Sequence, residues 1–175
     1  MLKSRLITAV LAAASLLAFS ATASDLAEVR IQDQCDPATF PPEAGCQGRG
    51  DVTFQEFLAK VNPFDGGHKE WFFHFGKGHI KAGESLRLVN EGGEPHSFAE
   101  VSAYGTGVVP PLNGALPAGT PPAVPVGFAT LEEANGATIV LPNSMRMVNG
   151  LSVGRHKFQC LIHPWMRLEV EVRPN

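Results

Sequence analysis

Hydrophobic and polar positions change period along the chain. Over residues 53–61 the apolar side chains Phe54, Phe57, Leu58 and Val61 fall at i, i+3, i+4 and i+7, which predicts one short amphipathic helix. Thr53 and Glu56 form a capping-box start for it, and Pro63 stops it. From residue 69 the period is two. In "KEWFFHF" Trp71, Phe73 and Phe75 alternate with Phe72 and His74, as in a half-buried strand. "SLRLVN" follows the Gly83 turn, a Glu-Gly-Gly-Glu-Pro turn comes next, and "HSFAEV" resumes the pattern. Further strands are predicted at "GATIVL", "SMRMV", "RHKFQC" and "RLEVEV", divided by Gly, Pro and Asn. Short strands at this spacing, with no long helix between them, predict an all-β protein, an antiparallel sandwich or barrel.

Residues 104–126 break the rhythm. They hold Pro110, Pro111, Pro117, Pro121, Pro122 and Pro125, which excludes a central strand and predicts an extended surface loop. The N-terminus has its own signature: Lys3 and Arg5, an uncharged apolar run from Leu6 to Phe19, then the small residues "ATAS". This predicts a secretory signal peptide over 1–23, cleaved after Ala23, and hence a secreted or periplasmic protein. The apolar run is too short to span a bilayer, and no later run is long enough. The expected division is therefore a signal peptide (1–23), an N-terminal extension with one helix (24–65) and a β domain (66–175). Cleavage removes two positive charges from a chain of formal net charge -3, and that acidity argues against nucleic acid as a partner.

An oxidising compartment gives the three cysteines different fates. Cys35 and Cys46 flank a Pro- and Gly-containing loop, "CDPATFPPEAGC", and are expected to form a disulfide. Cys160 is left over. It stands in "QCLIHPWMRLEVEV", with His163 and Met166 close behind. A thiolate, an imidazole and a thioether together select copper over hard cations, and methionine makes zinc the poorer fit. Pro164 breaks the chain between two strands, and a tight turn there can bring all three side chains to one point. A trigonal copper site needs a second histidine. His156, four strand residues before Cys160, is ~13 Å away at the usual rise. Position favours His96, which opens a strand after the Gly92–Pro95 turn, but leaves His68, His74 and His79 open.

"GRHKFQCLIHPWMRLEVEV" resembles the C-terminal copper-binding motif of the cupredoxins, the plastocyanin/azurin family, and its C-x2-H-x2-M spacing is like that of the amicyanins. "HIKAGESLRLVNEGGEPHSF" resembles the upstream half, where a strand ending in Asn and a short turn lead to the first histidine ligand. The likeness spans roughly residues 70–173. It implies a Greek-key β-sandwich and one type 1 (blue) copper ion. His96, Cys160 and His163 would be its equatorial ligands and Met166 the weak axial one. It also implies one-electron transport to a redox partner protein, with the exposed edge of His163 as the exit, rather than catalysis. Leu168, the long segment between His96 and Cys160 and the extension before residue 66 depart from the family pattern. A copper carrier or storage protein, or an interaction module with incidental metal, are the rival functions. The chain has neither the paired H-x-H motifs of copper oxidases nor the two-cysteine turn of a dinuclear centre.

Overall fold

A computed structural model describes residues 27–48 and 50–175; the expected signal peptide lies outside the described residues. Among the described residues the fold is a β-sandwich with two short α-helices. One sheet has the order β2-β1-β4-β9, from Phe72–Phe75, Ala27–Gln32, Leu86–Asn90 and Met145–Val148. The other has the order β3-β11-β10-β6-β7, from His79–Lys81, Arg167–Arg173, Gly154–Gln159, Ala99–Ala103 and Val124–Pro125. A small pair, β5 (His96–Ser97) with β8 (Ile139–Val140), closes one end. The sheets are mixed: β1 runs parallel to β4 and β3 parallel to β11, while the other pairs are antiparallel.

The predicted alternation sets the inner faces. Trp71 and Phe73 are buried and His74 exposed; Leu86, Leu88 and Asn90 of β4 are buried while Arg87 and Val89 are not. Aromatic rings knit the two sheets, with Phe98 stacked on Phe158 at 4.3 Å and edge-on to Phe73 at 5.0 Å. The predicted helix is α1 (Phe54–Lys60), and its capping box forms: Thr53 Oγ1 accepts from Glu56 N, and Glu56 accepts from Thr53 N. Phe57 is the buried residue of α1 and lies tilted against Trp71 at 4.8 Å. Burying a ring of this size stabilises by about 2–3 kcal/mol.

Three elements differ from the sequence reading. β1 was not expected, although "AEVRIQ" alternates Ala27, Val29 and Ile31 inward. It lies inside its sheet, with Glu28 opposite Arg87 and paired to it. "GATIVL" is strand only at its end, because helix α2 (Leu131–Thr138) occupies the stretch before it. Thr130 caps α2 by accepting from Glu133 N, so "TLEE" carried the signal. The 104–126 segment is not simply a surface loop: it forms a 3-10 turn at Pro110–Ala115 and β7, and it buries Leu112, Ala115, Leu116 and Ala123.

Candidate metal centre

β10 delivers Cys160 at its end, and β11 begins at Arg167. The intervening turn is closed by backbone bonds from Cys160 N to Met166 O (3.0 Å) and from Met166 N to His163 O (2.9 Å). His163 N also donates to Cys160 Sγ at 3.3 Å. Short bonds across one turn fold Cys160 and His163 toward the same point, which a straight strand could not do. His96 comes from the opposite side of the site, on β5. Asn90, at the end of β4, sets its turn: Nδ2 donates to the carbonyls of Glu94 and Val140, and Oδ1 accepts from Gly92 N. Ser97 joins the two halves, because its Oγ accepts from Leu161 N at 2.7 Å and lies 3.9 Å from Cys160 Sγ.

The structure brings His96, Cys160 and His163 together. Cys160 Sγ is 3.9 Å from Nδ1 of each histidine, and one ligand atom of each residue lies within 4.8 Å of the others. A point central to three atoms so spaced is about 2–2.5 Å from each, close to the 2.0–2.3 Å of first-row metal bonds to imidazole and thiolate. The three residues fit a copper ion in donor chemistry and in spacing. Met166 is buried in the core and its backbone closes the turn on both sides. The other histidines lie apart from this group: His68 packs edge-on to Trp71, His74 is exposed, His79 lies in β3 opposite Glu171, and His156 bonds Glu100 and the Ser152 carbonyl.

One expectation fails. His163 was to present an exposed edge, but it is 1% exposed. Phe57 of α1 and Trp165 cover its ring edge-on, at 6.1 and 5.5 Å. Its Nε2 faces the buried carboxylate of Glu94 at 3.6 Å.

Two carboxylates in the site were not read from the sequence. Asp33, just past β1, accepts from His96 Nε2 at 2.9 Å, and both side chains are fully buried. Its oxygens also accept from the backbone N–H groups of Cys35, Gly93 and Glu94. Gly92 and Gly93 make this possible, since a Cβ at Gly92 would overlap Asp33 Oδ2 and one at Gly93 would overlap Gly48. Glu94 takes the second position, accepting from Trp71 Nε1 at 2.6 Å beside His163. The two adjacent glycines, ending three residues before His96, were the available signal. The expected Cys35–Cys46 disulfide forms, and it anchors the loop next to Asp33.

Burial and these contacts oppose one another. Burial raises the Cys160 thiol, but hydrogen bonds from His163 and His96 overcome it and hold Cys160 well below the usual thiol range. Burial lowers His96, yet the bonds to Asp33 and Cys160 prevail and push it up to about 9. Asp33 stays below the usual carboxylate range: burial raises it, and the His96 bond and backbone N–H groups win. Glu94 goes up, because burial outweighs His163 and Trp71. Without a metal these contacts favour the charged forms of Cys160 and His96 together, a donor set that suits a soft cation once His96 gives up its proton.

No protein-family model matches the chain, and no curated protein matches it. Among solved structures it is similar to a novel purple cupredoxin from Nitrosopumilus maritimus, at 16% identity over 83% of this chain and 98% of that one, TM-score 0.40. It is also similar to an oxidised amicyanin mutant, at 14% identity over 87% of each chain, TM-score 0.40. A Cu(I) amicyanin mutant is similar at 17% identity over 54% of this chain and 67% of that one, TM-score 0.34. Among the described residues, no helix is long and apolar enough to cross a membrane.

Proposed function

We propose that the chain is an exported type 1 copper protein that carries single electrons, with His96, Cys160 and His163 as equatorial ligands and Met166 as the axial one. One observation supports this above all: Cys160 Sγ lies 3.9 Å from a nitrogen of each histidine, and all three side chains are shut off from solvent. Copper held there would supply a one-electron Cu(II)/Cu(I) couple, which a thiolate–imidazole set accommodates in both states. Cys160 offers the thiolate. Asp33 accepts from His96 Nε2, which orients the ring and leaves Nδ1 to face the sulfur. Glu94 stands in the same relation to His163 at longer range. Because Phe57 and Trp165 cover His163, electrons passing between a bound copper ion and a redox partner would have to cross these rings rather than leave at a bare imidazole edge. Export follows cleavage after Ala23 and leaves the protein in an oxidising compartment, in keeping with the Cys35–Cys46 bridge.

The test is the visible and EPR spectra of the purified protein with one equivalent of Cu(II), before and after ascorbate, beside Cys160→Ala. The expected result is an intense blue to purple band with narrow copper hyperfine splitting, bleached by ascorbate and absent from the variant. A pale spectrum indifferent to Cys160 would sink the reading. A carrier that hands copper on would use the same ligands. The complete burial of all three disfavours ready exchange, and copper retention against a chelator separates the two functions.

A further inference from the structure

The 40–44, 54–58 and 108–112 segments meet beside the candidate metal centre and wall a pocket of about 490 Å³. Phe40, Phe57, Leu112 and Ile162 are among its walls, and His163 and Glu94 stand at its inner end. The volume falls within the few hundred Å³ typical of small-molecule sites, as does an apolar lining with few polar groups. We propose that this pocket binds a small neutral aromatic alcohol, a molecule of the phenol class, seated against the covered edge of His163. The proposal goes beyond the copper reading and does not depend on it.

Three observations select that class. The rings of Phe40, Phe54 and Phe57 pack edge-on or tilted at 5.2 and 5.5 Å and border the pocket, a surface that another ring complements. Among the described residues no Lys or Arg lines it, while the carboxyl groups of Glu43 and Glu94 do, so an anion meets acceptors rather than a counter-charge. A cation fares little better: the buried Glu94 carboxylate already accepts from Trp71 and faces His163, leaving nothing to replace an ammonium's lost water. The polar end of the ligand has a waiting partner. Asn135 of α2 lines the same pocket, and its Oδ1 is buried with no hydrogen-bond partner among the described residues. With its amide turned into the pocket, Asn135 Oδ1 accepts from a ligand hydroxyl and is satisfied, whereas a hydrocarbon leaves it bare.

The test is a titration of the copper-free full chain with phenol, followed by side-chain NMR, with toluene, benzylamine and benzoate as comparators. Saturable shifts at Phe57, Leu112 and Ile162 are expected. Toluene should bind roughly fivefold more weakly than phenol, the worth of one neutral hydrogen bond. Asn135→Ala should erase that difference by weakening phenol alone. Benzylamine and benzoate should bind at least tenfold more weakly than phenol. Leu112→Trp fills the pocket and should abolish binding; Leu58→Trp, at a 44% exposed position on its rim, does the same without disturbing the core. Absence of saturable shifts overturns the proposal, as does phenol binding untouched by Leu58→Trp in a normally folded variant. Benzylamine or benzoate binding tighter than phenol overturns the ligand class. Because copper is absent throughout, failure of the phenol titration leaves the copper reading intact, and a colourless copper spectrum leaves the phenol site intact.

Discussion

Replacing Asp33 by Asn changes one atom and one charge, and the two changes have separate costs. Asp33 Oδ1 accepts from Cys35 N and Gly93 N, and Oδ2 accepts from Glu94 N and His96 Nε2. An Asn oxygen can keep one of these pairs. Its amide group then confronts the other pair donor to donor, leaving buried N–H groups unmet at about 1–3 kcal/mol each. The copper-free protein should lose about 3 kcal/mol, read as a drop of roughly 6–12 °C in Tm. The charge acts on the metal. Across the 2.9 Å hydrogen bond and the width of the His96 ring, the carboxylate lies about 7 Å from the middle of the His96–Cys160–His163 group. At an effective dielectric of about 20, one charge at that distance is worth about 2.4 kcal/mol. Removing a negative charge there favours Cu(I), so the reduction potential should rise by about 0.1 V, taking 59 mV per tenfold for one electron. The assay is a redox titration of the copper-loaded protein, wild type beside Asp33→Asn and Asp33→Glu. The glutamate variant keeps the charge and should stay near the wild-type potential even where stability falls. A potential that moves equally in both variants, or in neither, refutes the electrostatic argument.

Other consequences are open to simpler measurements. Glu94→Gln removes the carboxylate facing His163 while leaving an acceptor for Trp71, so the potential should again rise, measured by the same titration. Copper affinity should depend on pH with a definite sign. His96 without metal holds its proton up to about 9, Cys160 is held well below the usual thiol range, and binding at Nδ1 must expel the His96 proton. Affinity should therefore climb about tenfold per pH unit between pH 6 and 9 and level off above, as read by competition with a chelator of known pH dependence; a flat profile contradicts it. Opening the disulfide with Cys35→Ser and Cys46→Ser should cost up to about 3 kcal/mol in denaturant unfolding and loosen the Asp33 loop. Phe98→Ala should cost about 3–5 kcal/mol by the same measurement, because its ring fills the space between Phe73 and Phe158.

Much of this was legible in the chain, and what was missed has a physical reason. Period-two alternation found the strands that bury one face over several residues, such as "KEWFFHF" and "RLEVEV". It passed over β1, where the same alternation lies next to the expected export signal and so reads as part of an extension. Turn spacing marked Cys160 and His163 because their closeness is local, held by bonds within one turn. Position and resemblance pointed to His96, but proximity across 63 residues to Asp33 is a property of sheet pairing, and no local pattern encodes it. Glu94 was hidden for a different cause. Its turn reads as a polar loop, and only the approach of Gly93 to Gly48 and Cys35 shows that the loop is buried. The exposed exit expected at His163 failed likewise, since the helix that covers it lies about a hundred residues upstream.

The N-terminal segment therefore bears on chemistry as well as stability. β1 ends by placing Asp33 on His96, the disulfide fixes the loop that follows, and α1 lays Phe57 across His163. With the thiolate, the buried site has up to three negative groups: Cys160, Asp33 and Glu94. A doubly charged ion offsets more of that charge than a singly charged one, so the surroundings favour the oxidised form relative to a site without the carboxylates. Asp33 meets this demand with backbone N–H groups as well as the imidazole, which is why its charge survives burial. Glu94 has only an indole and a more distant imidazole, and burial pushes it toward the neutral acid. The two carboxylates are thus unequal: Asp33 is the fixed charge that a copper ion bound at His96 would face, and Glu94 the one whose charge yields to its surroundings. It follows that Asp33→Asn should move the reduction potential further than Glu94→Gln, and the reverse order would place the dominant charge on the His163 side.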